Sequence, residues 1–184
     1  MFRYLLLSAV FIGIFLSPAA FAAQPAGFWQ NPVIKDAGEM HPLPQAAFQP
    51  QKDATYKAVF SMTRGEKNSK DLNDDLAHVA RAVNVFVSAG VPLDHLKFVV
   101  IIHGGAVPAV LDNAHYKKEF GVDNPNLKVI QELKAAGVQM AVCGQAVAGY
   151  NYEYSWVNSN VKIALSALST IIILQHDGYA LMPM

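Results

Sequence analysis

Leu96-Lys97-Phe98-Val99-Val100-Ile101-Ile102 (LKFVVII), followed at once by His103-Gly104-Gly105, is the stretch that decides the fold class. It is apolar at every position but Lys97, so it offers no polar face to water. A strand of that kind belongs in the middle of a parallel sheet, covered on both sides. Its β-branched and aromatic residues suit a pleated surface. Working outward, Tyr56–Met62 (YKAVFSM) and Val138–Cys143 (VQMAVC) read as two more strands, Val161–Leu165 as a fourth, and Tyr179–Met182 as a terminal edge strand.

The intervening segments carry helical signals. Leu72, Leu76, Val79, Val83 and Phe86 recur on one helical face, with Ser69 or Asp71 placed to cap the start and Gly90 with Pro92 to end it. Ala109–Phe120 is a short amphipathic piece. Asn124-Pro125 is a good cap and first-turn pair for a helix whose apolar face is Leu127, Ile130 and Leu133, with Gly137 as its stop. Gln145 onward starts another helix after Cys143. Ser166–Gln175 is apolar almost all round, which predicts a buried helix or an oligomer contact. Strands alternating with helices predict a doubly wound, mostly parallel five-stranded sheet with helices on both faces.

Composition narrows the function classes. The 184 residues carry no net formal charge, which argues against a protein built to grip nucleic acid or an anionic membrane surface. A hydrophobic fraction of 53% excludes a disordered chain, and a single cysteine excludes a disulfide scaffold. Residues 1–22 have the form of a cleaved export signal: Arg3, an apolar core from Leu5 to Leu16 too short to span a bilayer, and Ala20-Phe21-Ala22 before the cut. The expected location is periplasmic or secreted, with no integral membrane span after cleavage. Residues 23–55 hold Pro25, Pro32, Pro42, Pro44 and Pro50 and lack a sustained apolar period. They read as an extended arm packing over a domain or a neighbouring subunit, or as a mobile leader. Residues 56–184 form the α/β domain.

In open α/β sheets, sites lie beyond the carboxyl ends of the strands. Cys143 and His103 stand at such ends, Arg64 follows the first strand and Ser166 the fourth. A thiol at a helix start is biased towards thiolate, whereas a buried one is inert; both readings stay open for Cys143. His103 is a candidate base or proton donor, or a satisfied loop residue. Gly104, Gly105 and Gly144 are candidates to bare N–H groups to an anion. Tyr150, Tyr152 and Trp156 are candidates to line a ligand site, or to serve as core or lid. No G-x-G-x-x-G or Walker A is present, so no nucleotide cofactor is expected. The six histidines, at 41, 78, 95, 103, 115 and 176, have no metal-ligand spacing, so no metal is expected either.

The block from Tyr56 to the C-terminus resembles the DsrE/DsrF-like family of small sulfur-relay proteins. The resemblance rests on L-x-x-x-L-x-x-V-x-x-x-V from Leu72 to Val83, VVIIHGGAVPAVL (99–111), LKAAGVQMAVCGQA (133–146) and VKIALSALSTIIILQHDGY (161–179). It implies the same doubly wound sheet, assembly into a trimer or hexamer, and a cysteine after the third strand that accepts sulfane sulfur as a persulfide and passes it to a partner thiol. Cys143 matches that position. The resemblance leaves three functional readings: an exported persulfide carrier using Cys143, a non-catalytic binding module for a small anion or partner protein at the same sheet edge, and a structural oligomer built by the arm and the 166–175 helix.

Overall fold

The computed structural model describes residues 24–184; the export signal read at 1–22 lies outside them. Five parallel strands form one sheet in the order β4-β3-β2-β1-β5: β1 Tyr56–Met62, β2 Leu96–Ile102, β3 Gln139–Cys143, β4 Lys162–Ala164 and β5 Ala180–Pro183. The helices are α1 Asp74–Ser88, α2 Asn113–Phe120, α3 Leu127–Ala135, α4 Gly144–Gly149 and α5 Ala167–His176, with 3-10 segments at Leu93–His95, Gly104–Val110 and Tyr154–Trp156. From β1 to β4 the chain steps across the sheet in one direction. It then crosses back, through α5, to place β5 on the other side of β1. Right-handed crossovers in opposite directions put helices on opposite faces, so the predicted doubly wound α/β fold is the one observed.

Local chemistry explains where elements stop. α1, α3 and α5 each end in the same device: a glycine with positive φ (Gly90, Gly137, Gly178), whose N–H and that of the next residue return to the last turn. Val91 bonds to Phe86, Val138 to Leu133 and Tyr179 to Leu174. The start of α1 differs from the expectation of Ser69 or Asp71. Asn73 is the cap, its side chain accepting from the N–H groups of Asp75 and Leu76. The Asn73 N–H in turn donates to Asn126 Oδ1 at 2.8 Å, so the starts of α1 and α3 are tied together. Asn124 caps the turn before α3 by accepting from the Asn126 N–H at 2.9 Å.

The two faces are unequal. Phe60, Met62, Phe98, Val100, Ile102, Met140 and Val142 pack with α1 and α3 into the large core. On the opposite face Val59, Val99, Ile101, Cys143 and Ala167 form a small cluster under α5, with Ala146 of α4 beside it. No helix among the described residues is long and apolar enough to cross a membrane.

The Pro-rich arm is part of the large-core side. Ile34 is fully buried and Ala37 and Met40 nearly so. Asn84, buried on α1, clamps this segment: its Oδ1 accepts from the N–H of Val33 (3.0 Å) and Ile34 (2.9 Å), and its Nδ2 donates to the carbonyls of Ile34, Ala37 and Gly38. Gly38 has φ +71, and a Cβ there would lie 2.2 Å from the Arg81 nitrogen, so only glycine lets the arm approach α1 this closely. Glu132 on α3 adds bonds to the N–H groups of Lys35 and Asp36. The arm therefore packs over its own domain.

Asn84→Ala strands five backbone groups of the arm. Equilibrium denaturation is expected to show a loss of about 2–4 kcal/mol, and limited proteolysis a new cut between residues 30 and 41. Unchanged stability and an uncut arm would contradict the clamp.

Candidate functional site

The carboxyl end of the sheet assembles the site. β2 pairs with β3 up to Ile102 and Val142, and one step further His103 and Cys143 end their strands side by side. Strand alternation sends both to the face of Val59, Val99 and Ile101, the α5 face. Ser61, two residues after Val59 on β1, points the same way. Ser61, His103 and Cys143 thus form a row on three neighbouring strands, next to the point where strand order reverses.

His103 is not paired with the thiol. Its Nε2 lies 2.9 Å from Ser61 Oγ, on the β1 side, whereas Cys143 lies on the β3 side. His103 is half-buried, and loss of solvent holds its pKa below the ordinary value of 6.5. The neutral ring keeps Nδ1 without a protein partner among the described residues. Ser61 carried no motif signal; only the register of β1 against β2 reveals it.

Cys143 is 6% exposed and makes no side-chain hydrogen bond among the described residues. It precedes α4, a helix of six residues. Gly144 must be glycine for packing: a Cβ there would lie 2.9 Å from the Ala164 carbonyl and 3.2 Å from Ile163. The Gly144 carbonyl accepts from the Tyr154 hydroxyl at 3.3 Å, a tie beside the thiol that carries no signal in the sequence.

Gly104 and Gly105 lie exposed at the mouth. Gly105 lies close to the loop after β1, where a Cβ would come within 3.1 Å of the Gly65 nitrogen and 3.2 Å of the Thr63 carbonyl, and Gly104 holds φ +55. Among the described residues their N–H groups meet no acceptor outside their own 3-10 segment.

Arg64, a candidate anion-binding residue after the first strand, is paired within its own loop. Its Nε donates to Asp75 Oδ1 at 2.7 Å and its terminal nitrogen pairs with the same oxygen. Asp75 is wholly buried and also accepts from the N–H groups of Thr63 and Arg64. The guanidinium neutralises a buried carboxylate, so its charge is spent on folding the loop after β1. Glu66 in that loop accepts from Asn126 Nδ2 at 3.1 Å, and burial raises its pKa above the usual carboxylate value.

Tyr150 and Trp156 lie apart from the row of Ser61, His103 and Cys143. Trp156 stacks on His115 at 4.6 Å, and His115 Nδ1 is held by Asp112 at 2.8 Å; Tyr152 lies 5.8 Å from Trp156, and Tyr150 stacks on Tyr152 at 5.3 Å. The backbone completes this clamp, the Asp112 N–H donating to the Trp156 carbonyl at 2.7 Å. The rings fasten the loop before β4 to the start of α2. Tyr150 stays exposed, and Trp156 is half-buried.

No curated protein matches the chain. Five solved chains do. One, from Methanobacterium thermoautotrophicum, is titled a protein of unknown function, MTH1491. It is 16% identical, the match covers 70% of this chain and 99% of that one, and the TM-score is 0.49. The model of the DsrE/DsrF-like family matches residues 56–184, the whole sheet and all five helices, and on that match the chain belongs to the DsrE/DsrF-like family.

Proposed function

We propose that the protein is an exported sulfur carrier in which Cys143 holds sulfane sulfur as a persulfide. The observation that carries this reading is the row of Ser61, His103 and Cys143 on one face at the carboxyl edge, in a chain of the sulfur-relay type. In loading, the Cys143 thiolate attacks the outer sulfur of a partner persulfide, R–S–SH. A new S–S bond forms on Cys143, the partner's S–S bond breaks, and the partner leaves as R–S⁻. Discharge repeats the exchange, with an acceptor thiolate attacking the outer sulfur of Cys143–S–SH. No external oxidant is needed, because the sulfur moves as a neutral atom between thiolates.

The neighbouring groups suit this traffic. Ser61 Oγ shares a hydrogen bond with Nε2 of the neutral His103 ring; in the tautomer whose ring proton sits on Nδ1, Ser61 is the donor and Nδ1 offers its own N–H at the strand ends. Gly104 and Gly105 are exposed residues whose N–H groups meet no acceptor outside their own 3-10 segment among the described residues, and they supply two further candidate donors. Thus dipoles, rather than a fixed cation, meet the anionic sulfur.

The burial of Cys143 favours a second reading, a non-catalytic module that binds a small anion or partner protein at the same edge. The two separate in one experiment. The reduced protein is treated with a sulfane-sulfur donor and its intact mass taken. A gain of about 32 Da on the native chain, absent from Cys143→Ser, is the expected result. No adduct on the native chain, or an adduct that survives Cys143→Ser, would leave the binding module as the better account.

His103 is expected to titrate below 6.5 by NMR and to be neutral at pH 7. Because its folded pKa is depressed, its contribution to stability is present above about 6.5 and is lost as pH falls through the folded value. A midpoint above 6.5 would contradict the neutral donor.

Export through Met1–Ala22 belongs to the same proposal. A chain recovered from the periplasm or medium should begin at Ala23 on N-terminal sequencing; an intact Met1 start in a chain retained inside the cell would refute it.

A further inference from the structure

We infer that Ser61 and His103 form a nucleophile and its base, a dyad that takes acyl groups from thioesters and other activated esters. Sulfur transfer by Cys143 needs no nucleophile at Ser61, and the dyad acts whether or not Cys143 carries sulfur.

Strand alternation calls for another apolar residue at position 61, two residues beyond the buried Val59. A serine stands there instead. Its Oγ lies 2.9 Å from His103 Nε2, within the roughly 2.6–3.2 Å over which an imidazole takes up a hydroxyl proton. The ladder fixes both residues: the His103 N–H donates to the Met62 carbonyl at 3.0 Å, and the Ser61 carbonyl accepts from the Met184 N–H at 3.2 Å. Both residues are half-buried, not sealed. They end neighbouring strands beside the reversal of strand order, where open α/β sheets present substrate sites.

The surroundings select the substrate. No carboxylate among the described residues acts on His103, whose pKa is set by burial. A base without that support suits acyl groups carrying a good leaving group, a thiolate or an aryloxide, and not amides. Register supplies the acyl side. Ser61 pairs with Pro183 and Val59 with Leu181, so Pro183 and Leu181 flank the serine on the outer strand and share its face. Both are exposed and form a wall for a short apolar acyl chain. Gly104 and Gly105 follow His103 at the same edge with N–H groups for the anionic carbonyl oxygen.

Water is the only further reagent. Ser61 Oγ bonds to the acyl carbon, its proton passes to His103 Nε2, and the carbonyl pair moves onto oxygen. Collapse breaks the C–S bond, and the departing thiolate takes the proton from Nε2. Water then attacks the Ser61 ester, giving one proton to Nε2. The carboxylic acid departs as Ser61 Oγ regains that proton. Nothing is oxidised or reduced.

The test uses the full chain carrying Cys143→Ala, so that no thiol competes for the acyl group and sulfur loading is silent. Hydrolysis of p-nitrophenyl acetate is followed, and the chain is separately treated with a fluorophosphonate and mapped by peptide mass. The expected label is one phosphonyl group, on Ser61. Ser61→Ala should lower hydrolysis by about 100-fold or more with unchanged far-UV circular dichroism. His103→Gln should lose as much, and the two substitutions together no more than either alone, as groups acting in one step do. The rate should fall on acidification as His103 gains its proton, with a midpoint below 6.5; a merely structural Ser61–His103 bond imposes no such profile. No label, a label on another residue, or hydrolysis unchanged by Ser61→Ala overturns the inference, whatever the result of sulfur loading on the native chain. Should Ser61→Ala fail to fold, the label on the unsubstituted serine decides.

Discussion

A slip of β2 by one residue against its neighbours would send Val99, Ile101 and His103 into the α1/α3 core and turn Phe98, Val100 and Ile102 towards α5. The parallel register through β2 prevents this, and most of the molecule follows from it. Phe98, Val100 and Ile102 match the deep side, where two helices and the arm supply partners of the right size. Val99 and Ile101 match the shallow side, where α5 supplies small residues such as Ala167. Because the same alternation continues past the last pair, His103 and Cys143 emerge together on the shallow side. The register that builds the core therefore also builds the site.

The inequality of the faces accounts for the positions of the remaining polar groups. On the deep side, buried polar residues join one segment to another: Asn84 holds the arm, Asn73 and Asn126 tie the starts of α1 and α3, and Asp75 is matched by Arg64. Each has its partners, as buried polar groups require. On the shallow side there is no such stitching. There the sheet relies mainly on α5, and that helix shows apolar residues to the outside. The deep face is covered within the chain, whereas the outer side of α5 leaves Leu168, Ile172 and Ile173 exposed.

How much of this was legible in the sequence depended on the range of the interaction. Strand identity came from local apolar runs, and the helix stops came from Gly90 and Gly137, whose function is decided within a few residues. The family and the five-stranded order of elements were legible for the same reason. The arm's docking was not, because it depends on Asn84, more than forty residues away and unremarkable within its helix pattern. Arg64 looked available because Asp75 reads, in sequence, as an ordinary acidic residue in a first helical turn. Its burial appears only when the loop after β1 is folded over it. Likewise the start of α1 was misplaced between Ser69 and Asp71 because several cap-forming residues crowd the segment, and only the bond from the Asn73 N–H to Asn126 singles one out.

The pairing of Arg64 with Asp75 bears on what chemistry the edge suits. A fixed positive charge beside Cys143 would hold an anionic persulfide tightly and oppose its discharge. A neutral imidazole and bare backbone N–H groups stabilise the anion less, and they release it at smaller cost. A carrier has to do both, so a site poor in charge favours reversible exchange over storage. Selectivity then has to come from access rather than attraction: the thiol is 6% exposed, framed by Gly144 with its Tyr154 tie and by the foot of α5. Under the proposed reading, a partner thiol reaches the sulfur only by displacing that frame, which couples transfer to docking and shields the persulfide from small adventitious thiols between encounters.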